Sequence, residues 1–289
     1  MSSHPCLIRM DSASYTCCYG NDVYSYQVRC PVSSLIFFPG DIQDAEAKMI
    51  LSPIAKAYTD FSYEQTLQIL HEKYPRSNVF IVRPSQKSDE ISLYGEYLDC
   101  DPDGNVKDYN PSGRALQSLS VLINNYICND NNRLPIILMG FSRGGLVLNQ
   151  ILVELGASLF SDCIMTRVRE IHWLDCGNGN HHLCYPPLSP AVLTSLQYYC
   201  GTLRCFFHLT PYLYAEDLHC KNYAEDLHCK NYAELSSLIQ QLQSVGVQTW
   251  THFYTREFEW RLGTPVIRRK YGHLSLLSQH FSLLLEFQN

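Results

Sequence analysis

Ser142 stands at the centre of Gly140-Phe141-Ser142-Arg143-Gly144. The apolar run Ile136-Ile137-Leu138-Met139 precedes it and a helix-favouring run, Gly145 to Leu155, follows. Strand, sharp turn and helix, with serine on the turn, is the context in which a G-x-S-x-G pentapeptide points to a nucleophile. On such a bend the serine oxygen is exposed, and glycines two residues to either side leave room where side chains would collide. The helix that follows directs its first amides and the positive end of its dipole toward an anion forming beside the hydroxyl. The chemistry this suits is attack on an acyl carbon through a covalent acyl-enzyme.

An activated serine needs a base, and an acid to hold that base in the right tautomer. With a strand-turn-helix nucleophile the chain order is serine, acid, histidine. His273, in Tyr271-Gly272-His273 before the last helical run, occupies the expected place among eleven histidines, and His280 is its competitor. For the acid, Asp217 is the first choice, just beyond the strand that ends near Leu209. Glu216 beside it, Glu225 and Asp226 in a second copy of the segment, and Asp175 at the preceding strand end are alternatives. An oxyanion needs preorganised donors. The amide of Arg143 is one candidate, and the amides of Asp41 or Ile42, in Pro39-Gly40-Asp41-Ile42, are the other. An Asp41 carboxylate turned inward would weaken such a hole.

Alternating strands and helices must position these groups. Ser14 to Tyr19 and Asp22 to Arg29 flank the turn Gly20-Asn21, and Ser34 to Phe38 and Val79 to Val82 read as short buried strands. Ser62 and Gln65 suggest a capping box for a helix that Pro75 ends. Arg114 to Ile127, Ser236 to Val245 and Leu274 to Phe287 read as helices. Val168 to Asp175, Leu203 to Leu209 and Val247 to Tyr254 read as strands. The pattern predicts an α/β chain with a mostly parallel sheet, helices on both faces and an N-terminal antiparallel hairpin. We expect a single domain over residues 1–289, with polar insertions near 85–113 and 214–234.

The first insertion holds Asp99, Asp101, Asp103 and Gly104, but the twelfth position from Asp99 is Asn110 where a calcium loop needs glutamate. The reading is a solvated surface loop. The second contains Tyr-Ala-Glu-Asp-Leu-His-Cys-Lys-Asn at 214–222 and again, unchanged, at 223–231. Two copies are too few for a solenoid and read as a tandem duplication in a tolerant surface segment. Their His-Cys pairs match no zinc spacing, so no metal is expected.

Hydrophobic content of 46% and charged content of 17% suit a globular chain. The formal charge of −6, without a basic stripe, argues against nucleic acid as a partner. No apolar stretch approaches the roughly 20 residues of a membrane span. Thirteen cysteines, odd in number and without C-x-x-C spacing, predict reduced, mostly buried thiols. The first thirty residues hold Arg9 and Arg29 without an apolar core or a transit-peptide pattern, so a cytoplasmic location is expected.

The chain resembles a little-characterised family of α/β-hydrolase-like proteins, named after an open reading frame on human chromosome 2, whose vertebrate members are mitochondrial. The resemblance rests on Phe37-Phe38-Pro39-Gly40-Asp41-Ile42-Gln43-Asp44, on the pentapeptide continuing into Val147-Leu148-Asn149-Gln150-Ile151, on Trp173-Leu174-Asp175 and on His208-Leu209-Thr210-Pro211-Tyr212. It implies the α/β-hydrolase fold, Ser142 as the elbow serine, and mitochondria as the alternative location. It supplies no substrate. The expectation is a serine hydrolase of esters or thioesters, lipid-derived acyl groups included, with no metal or organic cofactor and a small acyl substrate as partner. The alternative is a catalytically inactive hydrolase-fold protein that serves as a binding or regulatory partner of another protein.

Overall fold

Burial on two faces explains why the central strands are apolar at nearly every position. The computed structural model describes residues 13–18, 21–88, 90–127, 134–157, 165–178, 183–214, 224–254 and 276–287. Eight strands form one sheet in the order β1 (Ala13–Cys18), β2 (Asn21–Tyr26), β4 (Ser77–Val82), β3 (Ser33–Phe38), β7 (Ile136–Phe141), β8 (Val168–Leu174), β9 (Arg204–Leu209) and β10 (Gln248–Phe253). Only β2 runs against the others. That order, with that one reversed strand, is the α/β-hydrolase fold. A separate hairpin pairs β5 (Gln86–Ser88) with β6 (Ile91–Leu93).

Side chains alternate between the faces of the sheet. Ile36 and Phe38 of β3, with Ile136 and Leu138 of β7, enter one core. Leu35 and Phe37, with Ile137, Met139 and Phe141, enter the other. In chain order the helices are α1 (Glu46–Met49), α2 (Tyr63–Lys73), α3 (Arg114–Leu122), α4 (Gly144–Gly156), α5 (Pro190–Leu196), α6 (Pro211–Tyr214), α7 (Ala224–Ser244) and α8 (Leu276–Glu286). The first core takes the apolar positions of α3, α4, α5 and α7, and the second those of α2 and α8. Every residue of α4 is buried, which fits the apolar run after Ser142.

Three elements differ from the sequence reading. Helix α7 begins at Ala224, inside the second nonapeptide copy and well before Ser236; Ala, Glu, Leu and Lys in that copy favour a helix, and its acids Glu225 and Asp226 suit a first turn. Residues 215–223 lie outside the described residues. The polar segment after β4 buries Tyr94, Tyr97, Leu98, Val106 and Tyr109 in the first core. Two of its tyrosines satisfy their hydroxyls on backbone carbonyls, Tyr94 on Pro39 at 2.6 Å and Tyr109 on Cys184 at 2.7 Å. Ser62 caps α2 by accepting from the Gln65 amide at 3.3 Å, but its own amide donates to Thr59, so only half of a capping box forms. Cys30, Cys100, Cys176, Cys184, Cys200 and Cys205 are free thiols.

Candidate active site

The turn after β7 is held by close packing that only glycine permits. A Cβ on Gly140 would lie 2.6 Å from the Gly144 carbonyl oxygen, and one on Gly144 would lie 1.9 Å from that of Phe38. Between them Ser142 adopts φ 52°, a left-handed conformation that L side chains avoid. Its amide donates to Leu174 O at 2.8 Å and its carbonyl accepts from the Gly145 amide at 3.0 Å. Ser142 is half-buried, whereas Phe141 and Arg143 on either side are buried.

Among the described residues, the non-glycine positions with positive φ are Ile42 at 69°, Ser142 and Asp175 at 44°. They follow β3, β7 and β8, three adjacent parallel strands, and so gather at one edge of the sheet. A β-branched residue such as Ile42 rarely enters this region, and strain of this kind concentrates at functional sites. The C-terminal edge of a parallel sheet is also where ligands bind in open α/β folds.

The loop after β3 packs against the elbow. A Cβ on Gly40 would meet the Ser142 Cβ at 2.6 Å. The Gly40 amide donates to Gln43 Oε1 at 2.9 Å, and Gln43 Nε2 donates in turn to Phe61 O and Thr66 Oγ1. Ser92 of β6 donates its hydroxyl to Gly40 O at 2.9 Å and its amide to Asp41 Oδ1 at 2.7 Å. The Ile42 amide, one of the oxyanion candidates, donates to Glu90 O at 2.8 Å. The amides of Asp41 and Arg143, the other two, donate to no acceptor among the described residues.

The carboxylate of Asp41 is occupied. Arg143 Nε approaches both of its oxygens at 2.9 Å, while Arg143 Nη1 donates to Gly104 O at 2.6 Å. The Arg143 side chain is therefore a clamp joining the elbow, the loop after β3 and the turn at 101–105. The sequence reading used only its amide. The acidic cluster read as a solvated loop is a backbone turn, in which Asp101 Oδ1 accepts from the amides of Asp103 and Asn105.

Asp175, one of the alternative acids, is wholly buried at the end of β8. Its Oδ1 accepts from the Thr210 amide at 2.7 Å. Its Oδ2 accepts from the Thr210 hydroxyl and lies 3.0 Å from His280 Nδ1. The His280 imidazole, on α8, stacks between Phe141 at 4.3 Å and Tyr212 at 4.2 Å. Burial, with the Asp175 carboxylate nearby, raises the Tyr212 hydroxyl pKa, so that ring stays neutral. The structure thus brings Asp175 and His280 together beside the residue that precedes Ser142. No hydrogen bond joins Ser142 Oγ to an imidazole among the described residues. His273, Asp217 and Glu216 lie outside the described residues. Glu225 and Asp226 fall on the first turn of α7, where side chains are not described. Gln43 and Thr210 had a signal in the sequence, since both stand in the blocks that carry the family resemblance.

No group of histidine, cysteine, aspartate and glutamate suited to a metal occurs among the described residues. No described helix is long and apolar enough to cross a membrane.

Comparison with solved structures finds a carboxylesterase from Mesorhizobium loti, 9% identical with TM-score 0.49, covering 87% of this chain and 99% of that one. It also finds a carboxylesterase from Bacillus cereus, 12% identical with TM-score 0.47, covering 81% of this chain and 84% of that one. An alpha-beta serine hydrolase homologue from Coxiella burnetii is 8% identical with TM-score 0.41, covering 97% and 98%. Among curated proteins, the mitochondrial protein C2orf69 homolog of Danio rerio is 26% identical over 166 residues, covering 50% of this chain and 48% of that protein. The chain thus spans about half the length of that curated relative. The C2orf69 family model matches residues 24–134 and 127–228, most of the chain including the elbow, its clamp and Asp175. The chain belongs to the C2orf69 family.

Proposed function

We propose that the protein is a serine hydrolase that cleaves esters or thioesters through an acyl-enzyme on Ser142. The observation that carries this reading is the gathering of strained Ile42, Ser142 and Asp175 around two uncommitted amides, those of Asp41 and Arg143. In this mechanism Ser142 Oγ attacks the acyl carbon and its proton passes to His280 Nε2. Asp175 holds Nδ1–H and stabilises the imidazolium. The amides of Asp41 and Arg143 receive the oxyanion, and the ion pair with Arg143 offsets the charge that Asp41 would otherwise place near it. The protonated imidazole then gives its proton to the leaving alcohol or thiol, and water releases the acid by the reverse path. No step calls on a metal or organic cofactor. The name of the Danio rerio relative supports mitochondria over the cytoplasm as the place of action.

A second reading has one observation in its favour. His280 is only 2% exposed, and Ser142 Oγ is not hydrogen-bonded to it. On that reading Asp175–His280 is a structural lock for α8 and the hydrolase fold serves as a binding surface for another protein. Unliganded sites often show long catalytic contacts that close only with substrate, so we favour the enzyme. Hydrolysis of a panel of p-nitrophenyl esters and acyl-coenzyme A thioesters decides between them. The enzyme reading expects turnover of at least one substrate that Ser142→Ala abolishes. Equal rates for wild type and Ser142→Ala across the panel would reject it.

A further inference from the structure

A cleft of about 210 Å³, its open mouth included, lies between the end of β9, Tyr185 and α7. Leu209, Leu213, Leu235 and the rings of Tyr185 and Tyr232 line it, together with Asn231. Its walls are well fixed. Glu234 of α7 accepts from the amides of Cys184 at 2.8 Å and Tyr185 at 3.1 Å, and Gln241 accepts from that of Leu188 at 3.0 Å. Leu209, Leu213, Leu235 and Tyr185 are all part of the first core.

Asn231 does not match these walls. It is 5% exposed, and its Oδ1 is buried without a hydrogen-bond donor among the described residues. An orphaned buried acceptor costs free energy, and in a folded protein it calls for an explanation. A trapped water is a poor one, because a buried water needs about three polar partners and the walls here are largely carbon. The Tyr185 hydroxyl is already directed to Cys176 O, 3.5 Å away. A ligand with an apolar body and one hydroxyl meets both requirements: its carbons cover the leucines and rings, and its O–H completes Asn231.

The cleft adjoins the candidate active site. Leu209 precedes Thr210, whose amide and hydroxyl hold Asp175. Cys176, which faces the Tyr185 hydroxyl, follows Asp175, and the next amide, that of Gly177, donates to Ser142 O at 3.4 Å. The volume limits the length of chain. At roughly 30 Å³ for each water-sized group, no more than about seven nonhydrogen atoms fit.

We propose that the cleft takes the acyl part of the substrate, a short aliphatic chain that carries a hydroxyl group, and that Asn231 Oδ1 receives this hydroxyl. Delivery of the acyl group to Ser142 rests on the reading of that serine as a nucleophile; occupancy of the cleft does not.

The test uses the full chain as Ser142→Ala, which leaves esters intact, in ligand-observed NMR titrations with methyl 6-hydroxyhexanoate and methyl hexanoate. The hydroxylated ester is expected to bind about threefold to tenfold more tightly. Asn231→Leu in the same background should reverse that preference, because an apolar side chain replaces the acceptor. Its thermal midpoint should be no lower, since an orphaned acceptor is gone. Asn231→Ala should also lose the preference, and it serves if the leucine variant does not fold. Equal binding of the two esters by Ser142→Ala, binding of neither, or a preference that survives the Asn231 substitutions would overturn the proposal. Ester hydrolysis by the wild type beside any of those results would leave Ser142 standing and remove the cleft. Asn231-dependent binding without hydrolysis would do the opposite.

Discussion

At position 40 a methyl group has nowhere to go, because its carbon would sit 2.6 Å from the Ser142 Cβ. Gly40→Ala should therefore push the two loops apart and destabilise the protein by about 1–3 kcal/mol, and it should disrupt any chemistry at Ser142. A urea titration and serine labelling of the same preparation check the two effects. Arg143→Met removes the guanidinium from Asp41 and Gly104 and leaves a half-buried carboxylate with the Ser92 amide but no counter-charge. A loss of about 1–3 kcal/mol is expected, with partial recovery when Asp41→Asn is added. A double-mutant cycle measures this coupling. At this scale the tight turn at Ser142 was legible because the glycines that permit it are neighbours in sequence as well as in space. The Asp175–His280 contact was not, since it joins residues 105 apart and depends on how α8 packs. The sequence reading placed Asp217 and His273 first, both outside the described residues, and kept Asp175 and His280 as alternatives that satisfy the same chain order. The clamp formed by Arg143 was equally hidden, because nothing local in Phe-Ser-Arg-Gly says that the arginine side chain reaches back to Asp41.

Strands β8 and β9 carry a polar chain with two buried histidines, which runs from Glu170 to Tyr254 just beyond β10. Glu170 Oε2 lies 3.2 Å from His172 Nε2, His172 Nδ1 lies 3.2 Å from His208 Nε2, and His208 Nδ1 lies 3.1 Å from Tyr254 Oη. Desolvation by burial lowers the pKa of His172, opposed by Glu170, and lowers that of His208 further, with His172 and His252 adding to the effect. Both imidazoles are neutral in the fold, whereas an unfolded histidine titrates near about 6.5. Their contribution to stability is therefore fully present above that value and is lost as pH falls below it, toward the lowered folded pKa values. The urea midpoint should decline between about pH 7.5 and 5.5, and His208→Asn should shrink that decline. An unchanged pH dependence in the variant would show that this pair does not couple to folding. The strands themselves were readable from their apolar runs, and the elbow helix from its composition. The hairpin of β5 and β6 was not, because three-residue strands of polar and apolar residues carry no period, and their role comes from covering the loop after β3.

For the molecule as a whole, the mostly parallel α/β sheet and the family likeness were both accessible from sequence, because punctuation by Pro and Gly separates short buried runs that suit a parallel sheet, whereas the lateral order of the strands came only with the structure. The duplicated nonapeptide resisted interpretation. Its two copies are identical, so deletion of either gives one and the same chain, in which α7 can still form. We expect that deletion to move the thermal midpoint by no more than about 4 °C, as scanning calorimetry would show; a larger loss would mean that both copies pack. The central claim is that Ser142 is an activated nucleophile. Its most direct test is treatment of the purified protein with a fluorophosphonate probe, followed by intact mass and peptide mapping. The account predicts one adduct on Ser142 in the wild type, none on Ser142→Ala, and much slower labelling of His280→Ala and Asp175→Asn. A well-folded wild type that takes no adduct, or an adduct that persists in Ser142→Ala, would contradict it.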